Sequence, residues 1–267
     1  MAFIRKAELR VDDKVIRYPE LDMEFEINFK DNSEGNTGHC LIYNLSQKTI
    51  QKFEKDKSVI LKAGYEGDVG TLLPGVIDSY KTRCTGVDRE TELILGDHTD
   101  AWLNATVNKT WKAGKDAQTI AQDIIDLLPF DLGGFEIDNN ITYEKGKTFS
   151  TICKTALEEL AADVDAKLHL SRGQIYFRNP AKGTEEIVLL NSKTGLISSP
   201  ERGTKEGKTI YDVRSLLNYR IWADSVVRIE SKTANGLYRV IDGQHVLSGD
   251  DFLTEMEVEK YEAKSNS

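Results

Sequence analysis

Residues 22–29 alternate apolar Met23, Phe25, Ile27 and Phe29 with Asp22, Glu24, Glu26 and Asn28, which predicts a half-buried strand of period two. Residues 40–43 make a second short apolar run. Ser46 then stands as an N-cap for a short helix carrying Ile50 and Phe53 on one face. Strands are expected at 59–63, broken by Gly64, at 72–80 with Pro74 and Gly75 near its start, and at 91–95. The middle of the chain changes period. Ala117, Ile120, Ala121, Ile124, Leu127 and Leu128 fall at helical spacing ahead of Pro129. A short strand is expected near Phe135, and a second helix from about Thr148 with Phe149, Ile152, Ala156, Leu157 and Leu160 on one stripe. A hairpin follows, turning at Ser171-Arg172-Gly173, with Leu168, Leu170, Ile175 and Phe177 as its core face. The last third returns to strands at 213–217, 226–230, 237–241 and 253–258, and residues 262–267 are polar enough to fray.

The pattern therefore predicts a mostly β protein of the α+β class. The first hundred residues read as a barrel or sandwich, and with the echo described next the expectation is two related β-barrels, at 1–104 and 186–267, flanking a small α/β domain at 105–185. The outer thirds also echo each other. The runs starting at Val59, Gly75 and Thr91 match in order and approximate spacing those starting at Val226, Arg239 and Thr254, and the strings Val-Ile-Asp and Thr-Glu recur.

Composition narrows the classes. The 267 residues carry 44 acidic and 35 basic side chains, a net charge of −9, with 39% hydrophobic residues. That length suits about two domains with a sizeable core. An acidic chain is a poor nucleic-acid wrapper, although an acidic wall can repel DNA that slides past it. No apolar run is long enough for a membrane helix, and Met1-Ala2-Phe3-Ile4-Arg5-Lys6 lacks the apolar region of a signal peptide. Cys40, Cys84 and Cys153 are odd in number and widely spaced, as for reduced thiols. The sequons at Asn44, Asn104, Asn108 and Asn140 carry no meaning without a secretory route.

Catalytic chemistry is not legible. His39, His98, His169 and His245 form no paired zinc motif, and the cysteines form no CxxC. The segment from Asp97 to Asp100 reads as a solvated turn. Gly146-Lys147-Thr148 lacks the glycine a phosphate loop needs five positions earlier, where Ile141 stands, so it reads as a turn with a helix cap. His245, Ser248 and Asp250 supply triad residue types on one loop without an evident pocket. The pairs Glu158-Glu159, Glu185-Glu186 and Asp250-Asp251 read as solvated faces, and Trp102, Trp111 and Trp222 form no interleaved stacking platform. A non-enzymatic protein with no cofactor or metal is expected.

Several segments carry a resemblance. The run Gly195-Leu196-Ile197-Ser198-Ser199-Pro200, the stretches 213–218, 225–230 and 235–240, and the terminal 252–257 resemble the C-terminal barrel of baseplate hub proteins of contractile phage tails, prophages and tailocins. Phe25, Ile27 and Phe29, the run Ile42 to Ser46, 59–65 and Gly75-Val76-Ile77 resemble their first barrel, and the middle helices their intervening α/β region. The resemblance implies a homotrimer in which three chains of two barrels imitate sixfold symmetry. Such a ring would join a sixfold tail tube or tube-initiator protein to a threefold central spike, among other baseplate proteins. Tape-measure protein or DNA would transit the lumen unbound, with no membrane insertion. It also implies a virion tail location and assembly in the host cytoplasm. A hexameric distal tail or tube-initiator protein, and a cell-wall hydrolase, are the alternative readings. Interface strands are expected at 22–29, 59–65, 76–80, 226–230, 237–242 and 254–258. The residues expected to carry them are Phe25, Ile27, Phe29, Val59, Leu61, Val76, Ile77, Val226, Arg228, Tyr238, Val240 and Met256.

Overall fold

The computed structural model describes residues 4–31, 33–97, 100–171, 173–178, 186–205 and 207–261. Strand makes up 58% of the chain and helix 11%. The chain divides into two compact units, one of Met1–Asp31, Asn36–Gly96 and Gly183–Ser267, the other of Asn32–Gly35 and Asp97–Lys182.

The first unit opens with strands β1 (Arg5–Val11), β2 (Lys14–Tyr18), β3 (Met23–Lys30) and β4 (Thr37–Tyr43). Helix α1 (Gln47–Ile50), β5 (Ser58–Tyr65), β6 (Asp68–Thr85) and β7 (Asp88–Gly96) follow. The second unit holds α2 (Asp100–Asn104), β8 (Thr106–Trp111), β9 (Lys115–Asp116), α3 (Ala117–Ile125) and β10 (Asp131–Glu136). It continues through β11 (Thr142–Tyr143), β12 (Lys147–Ile152), α4 (Cys153–Asp163), β13 (Lys167–Ser171) and β14 (Gln174–Arg178). The chain then returns to the first unit with β15 (Ile187–Leu190), β16 (Glu201–Lys205), β17 (Lys208–Leu216), β18 (Val226–Glu230), β19 (Asn235–Ser248) and β20 (Asp251–Lys260).

Local sequence explains most of these elements. In β3 the odd residues Met23, Phe25, Ile27 and Phe29 are buried and Glu26 and Lys30 are exposed, as the alternation requires. Each such side chain withdrawn from water contributes roughly 1.5–3 kcal/mol. Ser46 caps α1, its Oγ accepting from the Thr49 amide at 3.2 Å, and Ile50 and Phe53 are buried beneath it. Asp116 caps α3 in the same way at 2.7 Å. In the second unit, α3 and α4 bury Ile120, Ile124, Leu157 and Leu160 in one core with Leu170, Ile175 and Phe177 of the β13–β14 hairpin.

Some expectations change. Residues 147–152 form β12 rather than the first turn of a helix, because Thr148, Phe149, Thr151 and Ile152 are β-favouring and pair with β8 from Lys147↔Trp111 to Ile152↔Thr106. The helical stripe is real only from Cys153. Strand β5 runs through Gly64, whose missing side chain leaves room for the close approach of Asp68 across the hairpin. Strands β6 and β19 are far longer than their apolar runs. The β1–β2 hairpin, β8, β9, β11 and β16 carry no apolar run strong enough to announce them, whereas β15 is the apolar run Ile187-Val188-Leu189-Leu190 that the sequence reading passed over. Asp97 is buried rather than solvated, and His98 and Thr99 lie outside the described residues. So do residues 262–267.

The first unit is one thirteen-stranded sheet whose main path runs β16-β17-β20-β19-β3-β4-β7-β6-β5-β1-β2, with β18 on β19 and β15 on β18. No pairing among the described residues closes this path into a barrel. The order β3-β4-β7-β6-β5 recurs as β16-β17-β20-β19-β18, each neighbouring pair antiparallel. The agreement extends to single residues. A bulge interrupts β6–β7 between Ile77↔Leu95 and Ser79↔Ile94, and another interrupts β19–β20 between Val240↔Val258 and Asp242↔Glu257. One constant shift in residue number relates all four positions of the first ladder to those of the second. The Thr-Glu strings at Thr91 and Thr254 obey that shift, whereas the Val-Ile-Asp strings miss it by one residue.

The two five-stranded repeats join where β19 pairs with β3, from Asp242↔Lys30 to Leu247↔Phe25. An ionic cluster sits beside this joint. Arg239 Nη1 donates to Asp31 Oδ2 at 2.7 Å and Asp224 Oδ1 at 2.5 Å, while Nη2 donates to Glu259 Oε1 at 2.6 Å. The Arg239 side chain is 5% exposed and those of Asp31 and Asp224 are 2% and 4%. Burial pushes the Glu259 carboxyl up, but hydrogen bonding to Arg239 and the positive charges of Arg239 and Lys208 outweigh it and hold the group below the usual glutamate range.

Replacing Arg239 with Met should cost about 3–5 kcal/mol by urea denaturation, because buried carboxylates lose their counter-charge. The contribution of Glu259 should be complete above the ordinary glutamate range and fade as pH falls through its lowered value. The stability difference between the wild type and Glu259→Gln should therefore shrink between pH 7 and pH 3.

Candidate functional site: strand edges and the polar face of the sheet

The ladder registers place polar side chains on one continuous face of the large sheet. One cross-strand row runs Arg214, Glu255, Gln244, Asn28, and the next runs Asp212, Glu257, Asp242, Lys30. On the other side of the joint, rows run Glu24, Leu41, Glu92, Lys81 and Tyr43, Glu90, Arg83. Acidic groups outnumber basic ones on these rows, and many are cross-linked by surface ion pairs. Arg214 meets Glu255 at 2.8 Å, Lys205 meets Glu257 at 2.8 Å, and Arg83 meets Glu90 at 2.6 Å. The His39 imidazole at 2.7 Å holds the Glu92 carboxyl below the usual range. Such exposed pairs add little stability but keep the face strongly hydrated. A groove of about 490 Å³ opens on it, lined by Lys30, Asp212, Arg214, Asp242, Glu255 and Glu257 among others.

The residue types considered for catalysis are employed structurally. His245 is fully buried, its Nδ1 2.9 Å from Thr254 Oγ1 and its ring 5.0 Å from Phe29 and 5.1 Å from Trp222. Ser248 donates to Glu24 at 3.0 Å, away from that imidazole. Lys147, in the segment tested as a phosphate loop, is paired with Glu159 at 2.7 Å and Asp163 at 2.9 Å. Trp102, Trp111 and Trp222 are all buried. Burial pushes the Cys40 thiol up to about 12, so it is not a nucleophile.

Of the twelve expected interface residues, Phe25, Ile27, Phe29, Val59, Leu61, Ile77, Val226, Tyr238, Val240 and Met256 are buried inside the chain. Val76 is half-buried and Arg228 exposed. All of the buried ones but Val226, which pairs with Arg239, pack the sheet's own apolar core, so at those positions only backbone edges and the opposite face can meet another molecule. Two edges stand out. Residues Ser79 to Thr85 of β6 are exposed, and their outer edge has no strand partner among the described residues, because β5 pairs only as far as Ser58↔Val76. Among the described residues, strand β16 is partnered by β17 alone. Sequence reasoning reached β6 only as far as Tyr80 and missed β16, since neither edge shows an apolar repeat.

At the joint between repeats, Gly243 faces Phe29, and a Cβ built on it would run into the Glu255 carbonyl oxygen of β20 and lie 2.7 Å from Phe29 Cζ. Phe29 fills this space with Trp222 at a ring distance of 5.3 Å.

This fold is not peculiar to the chain. A tail protein from Neisseria meningitidis superposes with TM-score 0.71 at 11% identity, covering 97% of each chain. The 43 kDa tail protein of prophage MuSo2 from Shewanella oneidensis gives 0.69 at 7% identity, covering 96% of this chain and 97% of that one. The chain has the fold of phage tail proteins. The E. coli c3393 protein, described as a component of the type VI secretion system similar to T4 bacteriophage tail proteins gp27 and gp5, gives 0.70 at 11% identity over 95% of this chain and 77% of its own. No family model and no curated protein matches the sequence. No helix among the described residues is long and apolar enough to cross a membrane.

Gly243→Val should lower stability by about 1–3 kcal/mol, because its Cβ must push back the Glu255 carbonyl of β20 and its added methyl groups must displace Phe29. Urea unfolding should show that loss in the purified chain, and Gly243→Ala should lose less.

Proposed function

We propose that the chain is a structural component of a phage or phage-like tail, and within it the baseplate hub. The observation that carries the reading is the repeated strand order, β3-β4-β7-β6-β5 and β16-β17-β20-β19-β18, with a bulge at the same point of each ladder. A chain that folds one sheet module twice lets three copies present six similar modules. That count is what an adaptor between a sixfold tube and a threefold spike requires. On this reading the segments 1–104 and 186–267 supply the two tube-like modules, each completing a barrel wall only in the assembly, and 105–185 the α/β domain between them. The tail and secretion-system proteins that share the fold support a place among tube, spike and other baseplate proteins of the virion.

The polar face suits the wall of a channel. Its surplus of carboxylates repels DNA, and its rows are mostly ion-paired and hydrated, with Leu41 and Ile94 as isolated apolar side chains among them. The role requires no bond-making chemistry, in keeping with the structural employment of His245, Ser248 and Lys147.

Quantitative mass spectrometry of purified particles should find three copies of the chain per tail end. Six copies would instead mark a distal tail or tube-initiator protein.

A further inference from the structure

The internal repeat identifies what is missing at the two open edges. Beyond its bulge, β19 carries β3 along its outer edge. The corresponding half of β6 carries nothing among the described residues. Residue equivalence follows from the ladders. Gly96 and Glu259 occupy the same ladder position, their partners are Thr37 and Ile210, and these pair in turn with Asn28 and Gly203. Strand β16 is therefore the counterpart of β3, with Glu201 standing for Glu26 and Lys205 for Lys30. Ser79 and Arg83 of β6 stand for Asp242 and Val246 of β19.

We propose that β16 of one copy pairs antiparallel with the exposed half of β6 in a second copy, in the register that β3 adopts on β19. Lys205 then lies opposite Ser79, Thr204 opposite Tyr80, Gly203 opposite Lys81, Arg202 opposite Thr82, and Glu201 opposite Arg83. The partner is a second copy of this chain because the strand that fills the corresponding edge within the chain has only one other counterpart, β16, whose own outer edge is open among the described residues.

Side chains at the two joints agree with this exchange. Within the chain a large residue, Phe29, meets a glycine, Gly243. At the proposed joint the sizes are reversed, with Thr204 small and Tyr80 large. The Tyr80 ring is already seated edge-on against Phe53 at 5.9 Å, much as Trp222 backs Phe29 at 5.3 Å. Opposite charges, Glu201 and Arg83, fall across from each other on the polar face. The surface is heterologous, the terminal strand β16 of one copy meeting the exposed half of β6 in the next, so copies add head to tail and stop only when a ring closes. Pairing also removes a long open edge that would otherwise invite aggregation.

The inference rests on the hub reading only for the number of copies in the ring. The test uses the full chain with Cys84→Ser to remove the exposed thiol. Chains carrying Thr82→Cys are mixed with chains carrying Arg202→Cys and oxidised, both as purified protein and in assembled particles. Disulfide-linked dimers containing one chain of each kind are expected, at several-fold higher yield than with Thr204→Cys, which lies two residues out of register. Equal yields from the two partners, or assembled particles without the Thr82–Arg202 link, would overturn the pairing. Three copies per particle without that link would overturn the pairing and leave the hub reading standing. Six copies with it would sustain the pairing and overturn the hub.

Discussion

One guanidinium governs the place where the two halves of the sheet meet. Arg239 lies on β19 two residues before the bulged Ile241, and its partners come from three other parts of the first unit. Asp31 follows β3, Asp224 precedes β18, and Glu259 lies on β20. The same region is tied by backbone hydrogen bonds, with the Asp31 amide donating to the Ile241 carbonyl at 3.0 Å and the Asp224 amide to Val240 at 2.9 Å. A buried ion cluster of this kind gains little over apolar packing but is severe on wrong arrangements, since any slip of β3 along β19 would strand a carboxylate. In the first repeat, the position of Arg239 is held by Val76 and that of Glu259 by Gly96, so this ionic lock belongs to one joint only.

Much of the architecture was legible where one face of a strand is apolar and the other polar. Strand β3 announced itself through Met23, Phe25, Ile27 and Phe29, and α1 through Ser46 and Ile50. Legibility failed where the signal is ambiguous or absent. Residues 147–152 carried a stripe compatible with either period, and β-branched and aromatic residues decided in favour of a ladder. The exposed half of β6 has no apolar side because water reaches both of its faces in the single chain. Ten of the twelve residues expected on interface strands are buried in the single chain, because strongly apolar positions are the ones that pack its interior. An edge that recognises another backbone needs no particular side-chain pattern, so little in the sequence marks it.

The internal repeat shows how misleading a short string can be. The two Val-Ile-Asp segments drew attention to elements that do correspond, yet their residues lie one position apart in the ladders. The hydrogen-bond register has outlasted the side chains that decorate it. The same contrast separates this chain from the tail proteins that share its fold at 7–11% identity. What is shared with them is the overall fold; within this chain, what the two repeats share is the order of strands and the position of the bulge.

Those irregularities have a mechanical meaning. An extra residue in an antiparallel ladder bends its strand and increases local twist. Here the insertion occurs at the equivalent ladder position in both long strands, so both bend at the same point of the repeat. Their bending is set by counting peptide groups, not by the girth of any side chain. A wall built this way can change nearly all of its amino acids while its radius of curvature stays constant.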